Sequence, residues 1–292
     1  MIDFLKYRHV CFIFSAAFLF FGVVFYFMIG GFKYHIDFAG GAEIRILFEK
    51  KLETSQLRKA MSEKGWKDVE IQSVGSKGNE FIVRMGGDEQ NLEDKFKADI
   101  ASGISDNKMT ILNIDWVGAA VGKGMQWNAF LAVLLSLLII LLYISIRSKY
   151  AYAIGAVVAI AHDILFVLTF LLIFQEPISL AVLAALLAIL GYSLNDTIVI
   201  FSRIRENLVK MRGAPIFEIA NISLNQTLTR TLRTSVSTLL AVGSFYLLGG
   251  ETLRGFSFAM LVGTIVGTYS SIYIASPIML AISSMVKKAD NE

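Results

Sequence analysis

Cysteine is almost absent. The single one, Cys11, stands inside an apolar run, so neither a disulfide framework nor a cysteine metal site can be built within the chain. Any exported part must fold without covalent staples. Charge is scarce too: 17% of the residues are charged against 55% hydrophobic, with a mean hydropathy of +0.61. An ordinary water-soluble domain could not keep that balance in solution, so the chain belongs in a bilayer. The net charge is only +3. Basic residues are scattered around hydrophobic runs rather than gathered along a groove, which leaves a nucleic-acid partner without support.

What is abundant is long uncharged sequence. From Val10 to Ile29 no residue is charged, enough helix to cross roughly 30 Å of hydrocarbon at about 1.5 Å per residue. Lys6 and Arg8 precede it as in a secretory signal, but no small-residue cleavage pattern follows and the run is too long, so it reads as an uncleaved helix. Further runs occupy Trp127–Ile146, Ala151–Phe174 interrupted by His162–Asp163, Ile178–Asn195 and Gly255–Val286. Thr234–Gly250 is short for a span and gains length only by reaching back through Arg233 and Arg230. The expectation is six transmembrane helices. Arg147 and Lys149, then Arg203, Arg205, Lys210 and Arg212, then Lys287 and Lys288 follow alternate spans and mark the cytoplasmic side. The opposite connections carry Glu176 and Glu251 against Arg254 alone. Both termini are then cytoplasmic, and residues 31–124 lie outside the inner membrane.

That inserted segment reads as a folded domain. Ala42, Ile44, Ile46 and Phe48 alternate with polar residues as a half-buried strand requires. A helix carrying Leu57, Ala60 and Met61 follows, started by Thr54 or Ser55 and ended near Gly65. Strands at Val69–Val74 and Phe81–Met85 flank the turn-like Gly75–Asn79. A helix with Leu92, Phe96 and Ile100 on one stripe and a strand over Met109–Trp116 complete a β-α-β-β-α-β order, which implies a periplasmic α+β, ferredoxin-like sandwich. It contains no phosphate-binding loop, His/Cys cluster or nucleophile–base pair, so it reads as a binding or moving module. The expected organisation is 1–30, a cytoplasmic N-terminus and first span; 31–124, the external domain; and 125–292, five further spans.

Polar residues inside the spans are the candidates for function, because a carboxylate at mid-membrane costs at least about 2.5–3.5 kcal/mol on insertion scales. Asp163, beside His162, needs a partner or a proton. It can brace helix packing or take part in ion movement, but two adjacent helical residues point apart and do not chelate a metal. In the fourth span Asn195 and Asp196 stand side by side, with Ser193 sharing the face of Asp196. In the fifth, Arg230, Thr234, Ser237, Ala241 and Ser244 form one small, hydroxyl-lined stripe. If these two helices pack together, Asp196 can meet Arg230. A carboxyl that exchanges such a partner for hydrocarbon would load and unload a proton; a static salt bridge is the plainer alternative. Gly263 and Gly267 form a G-x-x-x-G in the last span that permits close helix approach.

These residues also carry a resemblance. Gly191-Tyr192-Ser193-Leu194-Asn195-Asp196-Thr197, Arg203-Ile204-Arg205-Glu206-Asn207, Asp37-Phe38-Ala39-Gly40-Gly41, Thr229-Arg230-Thr231-Leu232 and His162-Asp163 all fall where the SecF family has them. Over nearly its whole length the chain resembles that family, whose members form the smaller half of the SecD–SecF accessory complex of the bacterial Sec translocon. The resemblance implies a half-transporter of the resistance-nodulation-division type that pairs six helices with six of SecD. It implies use of the proton-motive force to complete preprotein export through SecY, SecE and SecG, with a YajC-type or YidC-type accessory and membrane lipids as further partners. No cofactor is implied. The ion-linked residues would be Asp196 and Arg230, facing an acidic residue supplied by SecD. One departure is visible: His35, two before Asp37, stands where the family usually has Gly, which puts the geometry of that turn in question. An efflux-pump half of the same superfamily would share the topology but carries two much larger external domains. An intramembrane protease would need its aspartates in a Gly-x-Gly-Asp setting, which Asp163 and Asp196 lack.

Overall fold

The computed structural model describes residues 1–66, 69–75, 77–86, 92–104 and 106–289. Ser76 of the expected Gly75–Asn79 turn lies outside the described residues, as do the side chains of Leu92, Glu251, Lys287 and Lys288. The elements run α1 (Arg8–Ile29), α2 (Ile36–Ala39), β1 (Gly41–Phe48), α3 (Thr54–Glu63), β2 (Glu70–Val74), β3 (Glu80–Met85), α4 (Leu92–Gly103) and β4 (Met109–Val117). They continue as α5 (Ala119–Arg147), α6 (Tyr150–Phe174), α7 (Leu180–Lys210), α8 (Ile216–Leu248), α9 (Gly250–Ser270) and α10 (Ser276–Ala289). Two compact units result: Tyr34–Ala129, and Met1–Lys33 with Phe130–Glu292.

In the smaller unit, the period-2 pattern of β1 places Ala42, Ile44, Ile46 and Phe48 on one face, each buried. The sheet order is β2-β3-β1-β4, with every neighbouring pair antiparallel. Because β3 lies between β1 and β2, the crossover through α3 is a split β-α-β unit, the ferredoxin-like arrangement. Leu57 and Met61 from α3 and Phe96 and Ile100 from α4 close the core over that face. The register of β1 against β4 shifts between Arg45 and Ile46, a bulge that strengthens local twist.

Two details differ from the sequence expectation. Helix α3 is capped by Glu53, not by Thr54 or Ser55, through a reciprocal capping box with Gln56. The carboxylate of Glu53 does what a hydroxyl cap does, and the E-x-x-Q spacing was its signal. Gly65 does follow the helix end, at φ +86°, where a glycine avoids strain. The second detail is His35. At φ −67° and ψ 161° it is extended backbone, so the turn needs no glycine there. The left-handed positions are instead Gly40 and Gly41, at φ +76° and +120°. A Cβ on Gly40 would lie 2.6 Å from the Ala119 Cα, and one on Gly41 would strike the Met85 carbonyl oxygen.

Among the described residues, five helical segments are long and apolar enough to cross a membrane: Leu5–Ile29, Ala119–Arg147, Tyr150–Phe174, Leu180–Lys210 and Thr252–Met285. All backbone polar groups inside such a helix are satisfied locally, which is what hydrocarbon demands. Helix α8 is not among these segments, because Glu218, Asn221, Asn225, Gln226, Arg230 and Arg233 lower its hydropathy. Its 33 residues run unbroken from a turn at Gly213–Pro215. Between α9 and α10 the chain passes through one π-type turn, Ser271–Ala275, a deformation frequent at functional sites.

The bundle is built around α9. Gly263 presses against Ile189 of α7, and a Cβ on Gly267 would sit 3.2 Å from the Ser193 side chain. The G-x-x-x-G therefore faces α7 within this chain. Gly155 of α6 similarly admits the Ala275 carbonyl, 2.8 Å from where its Cβ would be. Apolar packing of α6, α7 and α9 buries Ile160, Val167, Leu171, Val182, Ile189 and Ala259. By contrast α1 and α5 are lined with exposed large apolar residues such as Phe20, Phe27, Phe130 and Leu142.

Candidate functional site

The two carboxyls of the bundle have opposite surroundings. Asp163, on α6, is fully buried. Its Oδ2 accepts hydrogen bonds from Ser193 Oγ of α7 at 2.6 Å and Ser270 Oγ of α9 at 2.9 Å, while Oδ1 lies 3.1 Å from His162 Nδ1. His162 Nε2 is 3.1 Å from Ser15 Oγ of α1, which is 3.0 Å from the Tyr269 hydroxyl; that hydroxyl donates to the Cys11 carbonyl at 2.8 Å. Rings reinforce the link, His162 packing on Phe166 with centroids 4.3 Å apart. One connected network thus ties α1, α6, α7 and α9 together. Ser193, expected beside Asp196, belongs to Asp163 instead. The reason is the depth of α9, whose Gly267 lets Ser193 and Ser270 converge on one oxygen.

Asp196, also on α7, is 3% exposed, yet its Oδ2 has no hydrogen-bond partner. The hydroxyls of Thr197 on the same helix, Thr231 on α8 and Thr264 on α9 are likewise buried without partners. Arg230 is exposed, and no ion pair joins it to Asp196 among the described residues. The packing of α7 on α8 that would have brought them together is present, held by Tyr192, whose hydroxyl donates to Ser235 Oγ at 3.0 Å, while Ser235 also meets Thr268 Oγ1 of α9 at 2.6 Å. Arg230, though exposed, remains close enough for its charge to be felt at Asp196.

The remaining sequence candidates follow Arg230 outward. Ser237, Ala241 and Ser244 are exposed and Thr234 half-buried. The three hydroxyls only donate back to their own helix, to carbonyls of Arg230, Thr231, Thr234 and Ala241. Asn195 is exposed on α7. The hydroxyl stripe is therefore real as a stripe but points away from this chain's other helices. Missed from sequence were Ser15, Ser235, Thr268 and Ser270. Their only signal was a hydroxyl in an apolar helix, too common to single out before the helices are packed. No group of His, Cys, Asp and Glu able to hold a metal occurs among the described residues.

In the smaller unit the Asp37-Phe38-Ala39-Gly40-Gly41 motif forms the single turn α2 and the tight passage into β1. Phe38 is buried, and its carbonyl accepts from Gln126 Nε2 at 2.8 Å. His35 caps the turn, with Nδ1 3.1 Å from Asp37 and Nε2 3.0 Å from Glu43; Arg84 Nε donates to the same Glu43 oxygen at 2.6 Å. Burial by itself would lower the His35 pKa, but the hydrogen bond to Glu43 and the charges of Asp37 and Glu43 outweigh it and raise it. Burial likewise opposes ionisation of Glu43, but hydrogen bonds with His35 and Arg84 bring its pKa down to about 2.

Several apolar helices, buried carboxyls within them and an inserted ferredoxin-like module define a polytopic membrane protein. The comparisons narrow that class. Residues 97–285 match the family model described as protein export membrane protein SecD/SecF, C-terminal. A protein translocase subunit SecF of Pseudomonas aeruginosa is 40% identical over 250 residues, covering 86% of this chain and 81% of that one. One from Petrotoga mobilis is 36% identical over 296 residues and 98% of each chain. The crystal structure of SecDF, a translocon-associated membrane protein of Thermus thermophilus, superposes with a TM-score of 0.86 at 35% identity. It takes in 97% of this chain, which spans 39% of that longer one. The chain belongs to the SecD/SecF family of protein translocase subunits, on the SecF side, and its role is in protein translocation.

Proposed function

We propose that this chain is the SecF-type half of a two-part machine that draws on the proton-motive force to assist Sec-dependent export. Asp196 is its ion-linked carboxyl and Arg230 the charge that modulates it. The observation that carries the reading is the contrast between the two aspartates. Asp163 has both oxygens satisfied and, with His162, braces four helices, whereas Asp196 is buried with an oxygen that nothing among the described residues satisfies. A buried carboxyl oxygen without a partner is costly, so it must gain a proton, an ion or a donor from elsewhere in the working cycle.

The outward stripe of Arg230, Thr234, Ser237 and Ser244, with Asn195, supports the second half of the reading. Arginine and hydroxyls on the outside of a membrane helix are expensive against lipid and inexpensive against another polar helix. A SecD subunit is that partner, consistent with relatives in which both halves form one chain. In that arrangement α8 is the fifth of six spans, shielded from lipid by the partner. Both termini face the cytoplasm, and 31–124 forms a periplasmic, non-catalytic module. The SecYEG channel, a YajC-type or YidC-type accessory and the translocating preprotein are the assembly it serves. An efflux half is disfavoured by family membership and by the one compact inserted domain.

The test is export of a slow-folding preprotein into vesicles, with and without an imposed gradient, normalised to the SecD–SecF complex recovered. Asp196→Asn is expected to abolish gradient-driven stimulation with assembly intact, because the amide keeps shape but exchanges no proton. Arg230→Lys should retain part of what Arg230→Ala loses, keeping charge without the planar fork. Full gradient dependence in Asp196→Asn would end the assignment. For topology, Lys64→Cys in a Cys11→Ala background should be labelled by an impermeant reagent in cells whose inner membrane is intact.

A further inference from the structure

Where α5 ends and α6 begins, the turn through Arg147, Ser148 and Lys149 lies beside α7 and encloses a cavity of about 130 Å³. Its polar side consists of Arg147, Ser148, Ser202 and Arg205. Its wall is apolar and tightly packed, since Ile144, Tyr152 and Phe201 are buried in the bundle core. Tyr143 and Ile198, 56% and 40% exposed, form the rim.

The electrostatics of this cavity are unlike those of the basic residues around it. Arg203 and Lys210 share Glu206, at 2.6 and 2.5 Å, so each is paired within α7, although the single carboxylate offsets only one of the two charges. Among the described residues Arg205 makes one side-chain hydrogen bond, Nη1 donating to Ser148 Oγ at 2.9 Å. That bond aims the guanidinium at the cavity without neutralising it. Among the described residues no carboxylate pairs with Arg205 or Arg147. Two uncompensated guanidinium groups therefore line one small cavity at the end of membrane-crossing helices, above an apolar wall.

We propose that this cavity binds the phosphodiester headgroup of an anionic phospholipid, with Arg147 and Arg205 as its ligands and Ser148 and Ser202 as supporting donors. Arginine forks match phosphate oxygens in pairs, and basic pockets between membrane helices are where such headgroups are held. The apolar rim decides between sources of phosphate. Tyr143 and Ile198, continued by Ile146 at 88% exposure, give acyl chains a surface that a free phosphate ion would leave unused. The site rests on α5, α6 and α7 crossing the bilayer and is independent of Asp196.

The experiment is native mass spectrometry of the full chain in detergent, titrated separately with phosphatidylglycerol, phosphatidylcholine and inorganic phosphate. Membrane fractionation of each variant runs alongside, so that failure of the spanning arrangement is seen separately. A retained phosphatidylglycerol adduct is expected, weakened about thirtyfold in Arg147→Gln/Arg205→Gln, which is ~2 kcal/mol at about 1 kcal/mol per arginine. Arg212→Gln, an exposed charge on the same side, should leave it unchanged. Ile198→Trp, which keeps both arginines but crowds the rim, should also weaken it, so the proposal stays testable if the double variant fails to fold. Equal retention of phosphatidylcholine, equal loss in Arg212→Gln, an adduct unchanged in both cavity variants, or displacement by equimolar inorganic phosphate would each overturn it.

Discussion

Replacing Asp163 by Ala should destabilise the bundle far more than replacing Asp196 by Asn, although both carboxyls are buried. Asp163 terminates three polar contacts, at 2.6, 2.9 and 3.1 Å, with Ser193, Ser270 and His162. Hydrogen bonds between membrane helices average ~0.6 kcal/mol, which sets a floor of about 2 kcal/mol for three. Leaving buried donors unmatched costs roughly 1–3 kcal/mol each where no alternative partner is in reach. Ser270 is partly relieved by the Gly267 carbonyl, 3.2 Å away, so the expected loss is about 2–4 kcal/mol. Asp196 offers an oxygen with no partner, and an amide there removes a buried ionisable group at a cost below ~1 kcal/mol. Unfolding of the full chain, titrated with denaturing detergent and followed by near-UV circular dichroism, measures both. Ser193→Ala and Ser270→Ala should each lose part of the Asp163→Ala effect and combine with it less than additively, since they share one oxygen. Equal stability of the two aspartate variants would refute the division of labour between brace and coupling group.

The segment 31–124, expressed alone, should melt cooperatively and be most stable between about pH 4.5 and 6.5. Glu43, lowered from 4.5 to about 2, contributes stability that is present above 4.5 and lost as pH falls towards 2, up to ~3 kcal/mol. His35, raised above 6.5, contributes below that value and loses its contribution as pH rises through its folded pKa. A Glu43→Gln variant should flatten both arms of the profile, and an unchanged melting temperature at pH 3 would contradict the linkage. Gly263→Val should lower bundle stability by about 1–3 kcal/mol, because its side chain would enter the space of Ile189, and Ile189→Ala in the same chain should recover part of that loss.

Hydropathy made the spans legible because hydrocarbon imposes one solution on the backbone, a helix of sufficient length, whatever its neighbours are. The strands of the inserted module were legible for a related reason: period-2 alternation at Ala42–Phe48 and Met109–Trp116 is a local pattern that one buried face enforces. Helix α8 resisted the reading, its Arg230 and Arg233 suggesting a truncated span, because part of its polarity is met by segments distant in sequence, Asn221 and Asn225 holding Ile2 and Phe4 and Ser223 meeting Asn207. The cap of α3 was missed by one residue, since Glu53 is an uncommon cap and Thr54 and Ser55 are common ones.

By itself, then, the sequence determined that the chain spans a membrane, where its soluble module is inserted, and that Asp163, Asp196 and Arg230 are charges held at a cost. Only the tertiary structure decided what each charge meets. Asp163 is a brace because Ser15, Ser193 and Ser270, from three other helices, converge on it and on His162. Asp196 keeps an oxygen without a hydrogen bond because Ser193 is taken and Arg230, though its charge reaches Asp196, makes no ion pair with it among the described residues. Hydrogen bonds between residues 30 and 107 positions apart follow from glycines that let α9 sink against α7, and that depth of packing is a property of helix pairs, invisible along a single strand of sequence.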